Sequence, residues 1–327
     1  MCRLPARLQR YICVTFNDDE GFAMTNSTGP ILVFGATGQQ GGSVARALLE
    51  AGRAVRILAR NPAAPAAEAL RTAGAKVFQG DFEDPASIRR AMQGADGVFS
   101  VQTSSPGGEI TDAQEIAWGI LVADLAAECG VRHLVYSSGA AVGDRPTGMG
   151  HFDSKMQIEA HIRALPIAAT IVRPTVFMEM LMMPGFGLDE GRFSFFMTPD
   201  QSMEFIAVED IGKLVSAVFA DRERFVGQTF DIAGDRATGR DLERVFSATA
   251  GRPIPYARFS DEVLAANPFL QKLTALQDQG SLAGSADLDA LRALVPDLLS
   301  FESWLAGSGN PQFVAALKAS GNWAYSQ

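Results

Sequence analysis

The chain has 327 residues, 47% of them hydrophobic and 20% charged, with a formal net charge of −9. That apolar share is what globular cores require and excludes a fully disordered or fibrous chain; the length suits about two domains, or one large α/β unit with an appended lobe. The acidic balance argues against a surface built for duplex nucleic acid or anionic lipid, both of which need excess Lys and Arg, yet leaves room for a local basic pocket.

Residues 1–28 mix Arg3, Arg7 and Arg10 with Asp18, Asp19 and Glu20 and show no period. They read as a disordered arm, with Met24 as an alternative start to Met1. The run Tyr11-Ile12-Cys13-Val14 is too short for a signal-peptide core, and no uncharged apolar stretch reaches the roughly 18 residues of a membrane span. Cys2, Cys13 and Cys129 form no CxxC pair, which points away from a disulfide framework and towards a reducing, cytoplasmic setting. His133, His151 and His161 lack the spacing of metal ligands, so no metal site is expected.

From Pro30 the pattern becomes regular. Ile31-Leu32-Val33-Phe34 is a short all-apolar run, of the kind buried on both faces of a parallel sheet, and predicts the first strand; further strands are predicted at 54–59, 76–79, 97–101, 133–136 and 169–172. Helical spacing predicts helices at 43–49, 63–72, 85–92, 112–129 and 152–164. Asp84 and Pro85 suit the start of the third helix, and Gly74 and Gly130 suit helix ends. This alternation is that of an α/β, doubly wound parallel Rossmann sheet, assigned to residues 29–174. Residues 175–327 are expected to form a smaller C-terminal α/β lobe, with some segments returning to the sheet. Strands are predicted there near 204–208, 228–232 and 254–259, and helices near 209–220, 240–250 and 261–277.

The first strand runs into Gly35-Ala36-Thr37-Gly38-Gln39-Gln40-Gly41. A backbone close to a pyrophosphate tolerates no side chain, and a helix start offers free N–H groups to the anion. Strand before and helix after make this a dinucleotide-binding turn rather than an ordinary glycine turn. The GxxGxxG spacing resembles the extended and atypical branches of the short-chain dehydrogenases. VFGATGQQGGSVARALLEAG, VRILARNP, GAKVFQGDFED, HFDSKMQIEAHIR and IVRPTVFMEML together resemble the NmrA-like family, its NADPH-sensing branch above all, over roughly residues 30–250. The resemblance implies that Gly35, Gly38 and Gly41 hold the pyrophosphate, with Thr37 and Gln40 along it. It also implies that Asp81 and Phe82 flank the adenine; a helix-capping turn is the other reading of Asp81.

The second strand ends Leu58-Ala59-Arg60-Asn61, without the carboxylate that NAD-preferring folds place there. Arg60 is suited to a ribose 2′-phosphate, so the expected cofactor is NADP(H). Standard members of the group use Tyr-x-x-x-Lys for proton transfer. Here the stretch reads His151-Phe152-Asp153-Ser154-Lys155, with Ser137 or Ser138 upstream. Two readings stand: Lys155 only holds the nicotinamide ribose, or His151 donates the proton. The resemblance favours the first, implying a redox sensor or regulator with little or no dehydrogenase activity. An NADPH-dependent reductase of quinones or similar conjugated carbonyls is the alternative.

Met178, Met180, Met182, Met183, Met197 and Met203 cluster with Phe177, Phe186, Phe193, Phe195 and Phe196. They form either an adaptable pocket for an aromatic ligand or protein partner, or the core of the second lobe. Glu209 and Asp210 suit a helix start in a structural role. Beyond NADPH, the expected partners are a regulatory protein or a small aromatic or quinone ligand, with no direct nucleic-acid binding and no membrane.

Overall fold

Six strands and five helices alternate first in the computed structural model, which describes residues 29–103 and 110–319. They are β1 (Ile31–Val33), α1 (Gln39–Glu50), β2 (Val55–Ala59), α2 (Pro65–Thr72), β3 (Lys76–Gln79), α3 (Pro85–Met92), β4 (Gly97–Ser100), α4 (Asp112–Glu128), β5 (His133–Ser137), α5 (Gly150–Ala164) and β6 (Ala169–Pro174). The second half brings β7 (Val176–Phe177), β8 (Phe193–Phe195), β9 (Ser202–Ile206), α6 (Val208–Ala220), α7 (Arg222–Phe225), β10 (Thr229–Ile232), β11 (Asp235–Thr238) and α8 (Gly239–Ala250). It closes with β12 (Tyr256–Arg258), α9 (Asp261–Ala266), α10 (Pro268–Asp278), α11 (Leu288–Leu294), α12 (Phe301–Ala306) and α13 (Asn310–Ala316). The arm expected over residues 1–28 lies outside the described residues.

The main sheet has seven parallel strands in the order β10-β6-β5-β4-β1-β2-β3. Because side chains alternate along a strand, Ile31 and Val33 enter one core while Leu32 and Phe34 enter the other. The first core is closed by α1, α2, α6 and α11, the second by α3, α4 and α5. Strand order reverses between β1 and β4, and such a switch opens a crevice beyond the carboxyl ends of the strands. Strand β10 returns from the second half to pair with β6, Phe230 beside Val172.

Helix α1 begins four residues earlier than its apolar spacing predicts, at the glycine turn itself. Gly41 allows this: a Cβ there would lie 2.4 Å from the Phe34 carbonyl oxygen. Helices α9 and α10 correct the single helix expected over 261–277. Pro268 lacks the N–H to continue a helix but fits its first turn, and the Asn267 Oδ1 caps the new start by accepting from Leu270 N at 3.1 Å. As expected, Asp84 caps α3, accepting from Ala86 N and Ser87 N.

The methionine and phenylalanine cluster is a core. Met178, Met182, Met197 and Met203 are buried with Phe186, Phe193, Phe195 and Phe196 against α8 and α12, whereas Met180 is exposed. Asp210, fully buried at the start of α6, accepts from Leu299 N at 2.7 Å and so ties the C-terminal segment to the sheet layer.

Candidate functional site: the carboxyl edge of the sheet

The glycine turn sits where β1 meets α1, at the strand-order switch. Gly35 has φ +62°, which a side chain rarely adopts, and a Cβ on it would also press to 2.8 Å from Val101 Cγ1. Gly38 N donates to Gly35 O at 2.9 Å and closes the turn. No side chain caps α1 and no acidic residue lies in its first turn, so the positive helix end is left to a ligand anion. Thr37 is exposed beside it. The Gln40 side chain turns across the crevice instead: its Oε1 accepts from Ser137 Oγ at 2.7 Å, joining the turn to β5.

On the β2 side, Arg60 follows the strand, is exposed, and makes no ion pair among the described residues. Beyond β3, Asp81 Oδ1 accepts from Glu83 N at 2.9 Å and Asp84 N at 3.1 Å, so one carboxylate oxygen shapes the turn into α3. Phe82 stacks on Phe34 (5.7 Å between centroids) and on Trp118 of α4 (5.0 Å). The Trp118 indole donates to Glu83 Oε1 at 3.1 Å. Trp118 is absent from the sequence reading, since nothing local marks a tryptophan on α4 as a neighbour of a residue 36 positions earlier.

On the β5 side stand His151 and Lys155. Gly119 of α4 has no side chain, and a Cβ on it would sit 2.5 Å from Ile158 Cδ1, so α5 packs against bare backbone. One turn from this contact, the Lys155 ammonium reaches the buried Glu115 carboxylate of α4. The other Glu115 oxygen accepts from Ser154 Oγ at 2.6 Å, and Lys155 Nζ also donates to His151 O at 3.2 Å. Asp153 accepts from Thr147 N at 2.6 Å and Gly148 N at 3.0 Å, fixing the loop that enters α5. Glu115 too escaped the sequence reading. Its one signal is that no other charge lies between Asp112 and Asp124.

The His151 ring lies against Phe152 (3.9 Å between centroids) and Phe269 of α10 (5.5 Å). Burial in this apolar setting, with the Lys155 charge as a second cause, pushes its pKa down to about 4. The imidazole is therefore neutral at pH 7. Lys272 of α10 adds a contact to Gly148 O at 3.0 Å, so the second half of the chain borders this end of the crevice. The turn, Arg60, Asp81, Phe82, His151 and Lys155 thus share one edge of the sheet, with β2 and β3 to one side of the switch and β4 and β5 to the other. Among the described residues there is no group of three or more His, Cys, Asp or Glu placed to hold a metal. No helix there is long and apolar enough to cross a membrane.

Comparison with known proteins agrees with the fold. An NAD(P)H azoreductase of Xenophilus azovorans is 28% identical over 268 residues, 81% of this chain and 87% of the enzyme. The crystal structure of NmrA, a negative transcriptional regulator, in complex with NADP superposes with a TM-score of 0.70 at 20% identity, over 88% of this chain and 98% of that one. An NmrA-like family domain-containing protein of Dictyostelium discoideum is 30% identical over 251 residues, covering 71% of this chain and 81% of its own length. The model of the NmrA-like family matches residues 27–304, and the chain belongs to that family.

Proposed function

We propose that the protein binds NADP(H) along the carboxyl edge of its sheet and acts as a redox sensor, with little or no dehydrogenase activity. The residues present fit the cofactor. Gly35 and Gly41 leave room that a Cβ would fill, the uncapped α1 start suits the pyrophosphate, and Arg60 has no competing ion pair among the described residues to keep it from a 2′-phosphate. Phe82 and Trp118 wall the adenine side, and Lys155 holds the ribose on the nicotinamide side. When bound, NADPH supplies a hydride.

One observation carries the sensor reading. The position that should deliver a proton holds a histidine that is neutral at pH 7 and packed between two phenylalanines. A general acid works best with a pKa near the working pH; one near 4 is almost wholly deprotonated there. The test is NADPH oxidation against a panel of quinones, with His151→Ala alongside. Negligible wild-type turnover and unchanged NADPH affinity in the variant are expected. Robust turnover that falls by about 10²-fold in the variant, the usual weight of a general acid, would contradict the reading.

A second reading, an NADPH-dependent reductase, is favoured by the likeness to the azoreductase. With His151 as its acid, the rate should climb about tenfold per pH unit as pH falls from 7 to 5, following the protonated fraction. A rate flat across that range would exclude His151 as the donor.

A further inference from the structure

We propose that Glu115 is a positioning residue for the cofactor site: it sets the place of the Lys155 ammonium and thereby the grip on the nicotinamide half. The inference rests on the reading that Lys155 holds that half. Glu115 is 1% exposed, on the face of α4 that packs against α5. A carboxylate there is costly to bury and persists only when its oxygens are satisfied. Both are: one by Ser154 Oγ, the other by Lys155 Nζ. A buried ion pair is weak evidence for stability, and an apolar pair of similar volume often serves as well. Its value here is geometric.

An ammonium has three N–H donors. Glu115 and His151 O take two, at fixed places on α4 and α5. One remains, and with two anchors the lysine stem loses the freedom that a flexible side chain would otherwise give up on binding. The helix contact at Gly119 supplies the closeness this requires. Glu115 touches no part of the expected cofactor path itself; it acts through Lys155.

The test compares NADPH with adenosine 2′,5′-bisphosphate, which lacks the nicotinamide half, titrated calorimetrically into the full chain. Glu115→Ala should weaken NADPH about tenfold or more, as Lys155→Met should, while the bisphosphate changes by less than about twofold. The double variant should lose no more than either single one, because the two residues act as a unit. Glu115→Gln/Lys155→Met leaves no unpaired charge, so it keeps the comparison possible if Glu115→Ala fails to fold. Equal losses for both ligands would show a general structural role and overturn the proposal. So would unchanged NADPH affinity in folded Glu115→Ala, or losses that multiply in the double variant. A wild type that binds the bisphosphate but gains nothing from the nicotinamide half would overturn the reading of Lys155 as well.

Discussion

Arg60 is the residue on which cofactor choice should turn. The 2′-phosphate is nearly doubly charged, and burying it unpaired would be costly. A charge-assisted contact of this kind is worth about 1.5–3 kcal/mol, or roughly 10- to 150-fold in affinity. Arg60→Ala should therefore weaken NADPH by at least about tenfold and leave NADH nearly unchanged, with the wild-type gap shrinking as salt rises. Titration of both cofactors into the variant checks this; a variant that keeps full NADPH preference would remove Arg60 from the site. The reading of Asp81 is narrower than its sequence suggests, because one oxygen already serves the turn into α3. Gln40 likewise spends its carbonyl oxygen on Ser137 rather than lying wholly along the phosphate track.

At the scale of elements, the contact of α4 with α5 decides whether Lys155 is held. Gly119→Val would force a branched side chain into the space of Ile158, an overpacking that costs about 1–3 kcal/mol. Urea unfolding should show that loss, and NADPH affinity should fall with it as Lys155 is drawn from Glu115. Unchanged stability would mean that the helices can part without cost. The five β–α steps and the sixth strand were legible because each strand is a short run with apolar residues at its centre, set off by turn or capping residues, as at Ile31–Phe34 and at Asp84-Pro85. The short strands β7, β8 and β11 were not. Two to four residues carry too little alternation to show a period, and Phe193-Ser194-Phe195 is a strand because Tyr256–Arg258 lies beside it. The glycine turn, Arg60 and Lys155 could be read in place because their chemistry is local. Glu115 and Phe269 could not, since their roles come from residues 40 and 118 positions away that only the packing brings near.

The whole molecule should weaken in acid through its histidines. Thr170 Oγ1 donates to Phe225 O at 2.7 Å and so accepts from His133 Nε2–H at 2.8 Å. That leaves the buried Nδ1 without a partner among the described residues. Burial, then the charge of Arg222, pushes the His133 pKa down to about 4, as burial does for His151. Their unfolded values lie near 6.5. As pH falls below about 6.5 the unfolded chain takes up protons that the folded one refuses. Stability is therefore complete above that pH and drains between about 6.5 and 4, by up to about 1.4 kcal/mol per pH unit for each histidine. Urea midpoints at pH 7 and pH 5 should show the fall, and His133→Gln should remove about half of it, the rest being due to His151; a midpoint unmoved between the two would mean that the rings are open to water. The most direct measurement is made on the intact chain: calorimetric titration of NADPH and NADH side by side at moderate salt. The account predicts one NADPH per chain, bound at least about tenfold tighter than NADH. Equal affinities, or no binding of either, would contradict it.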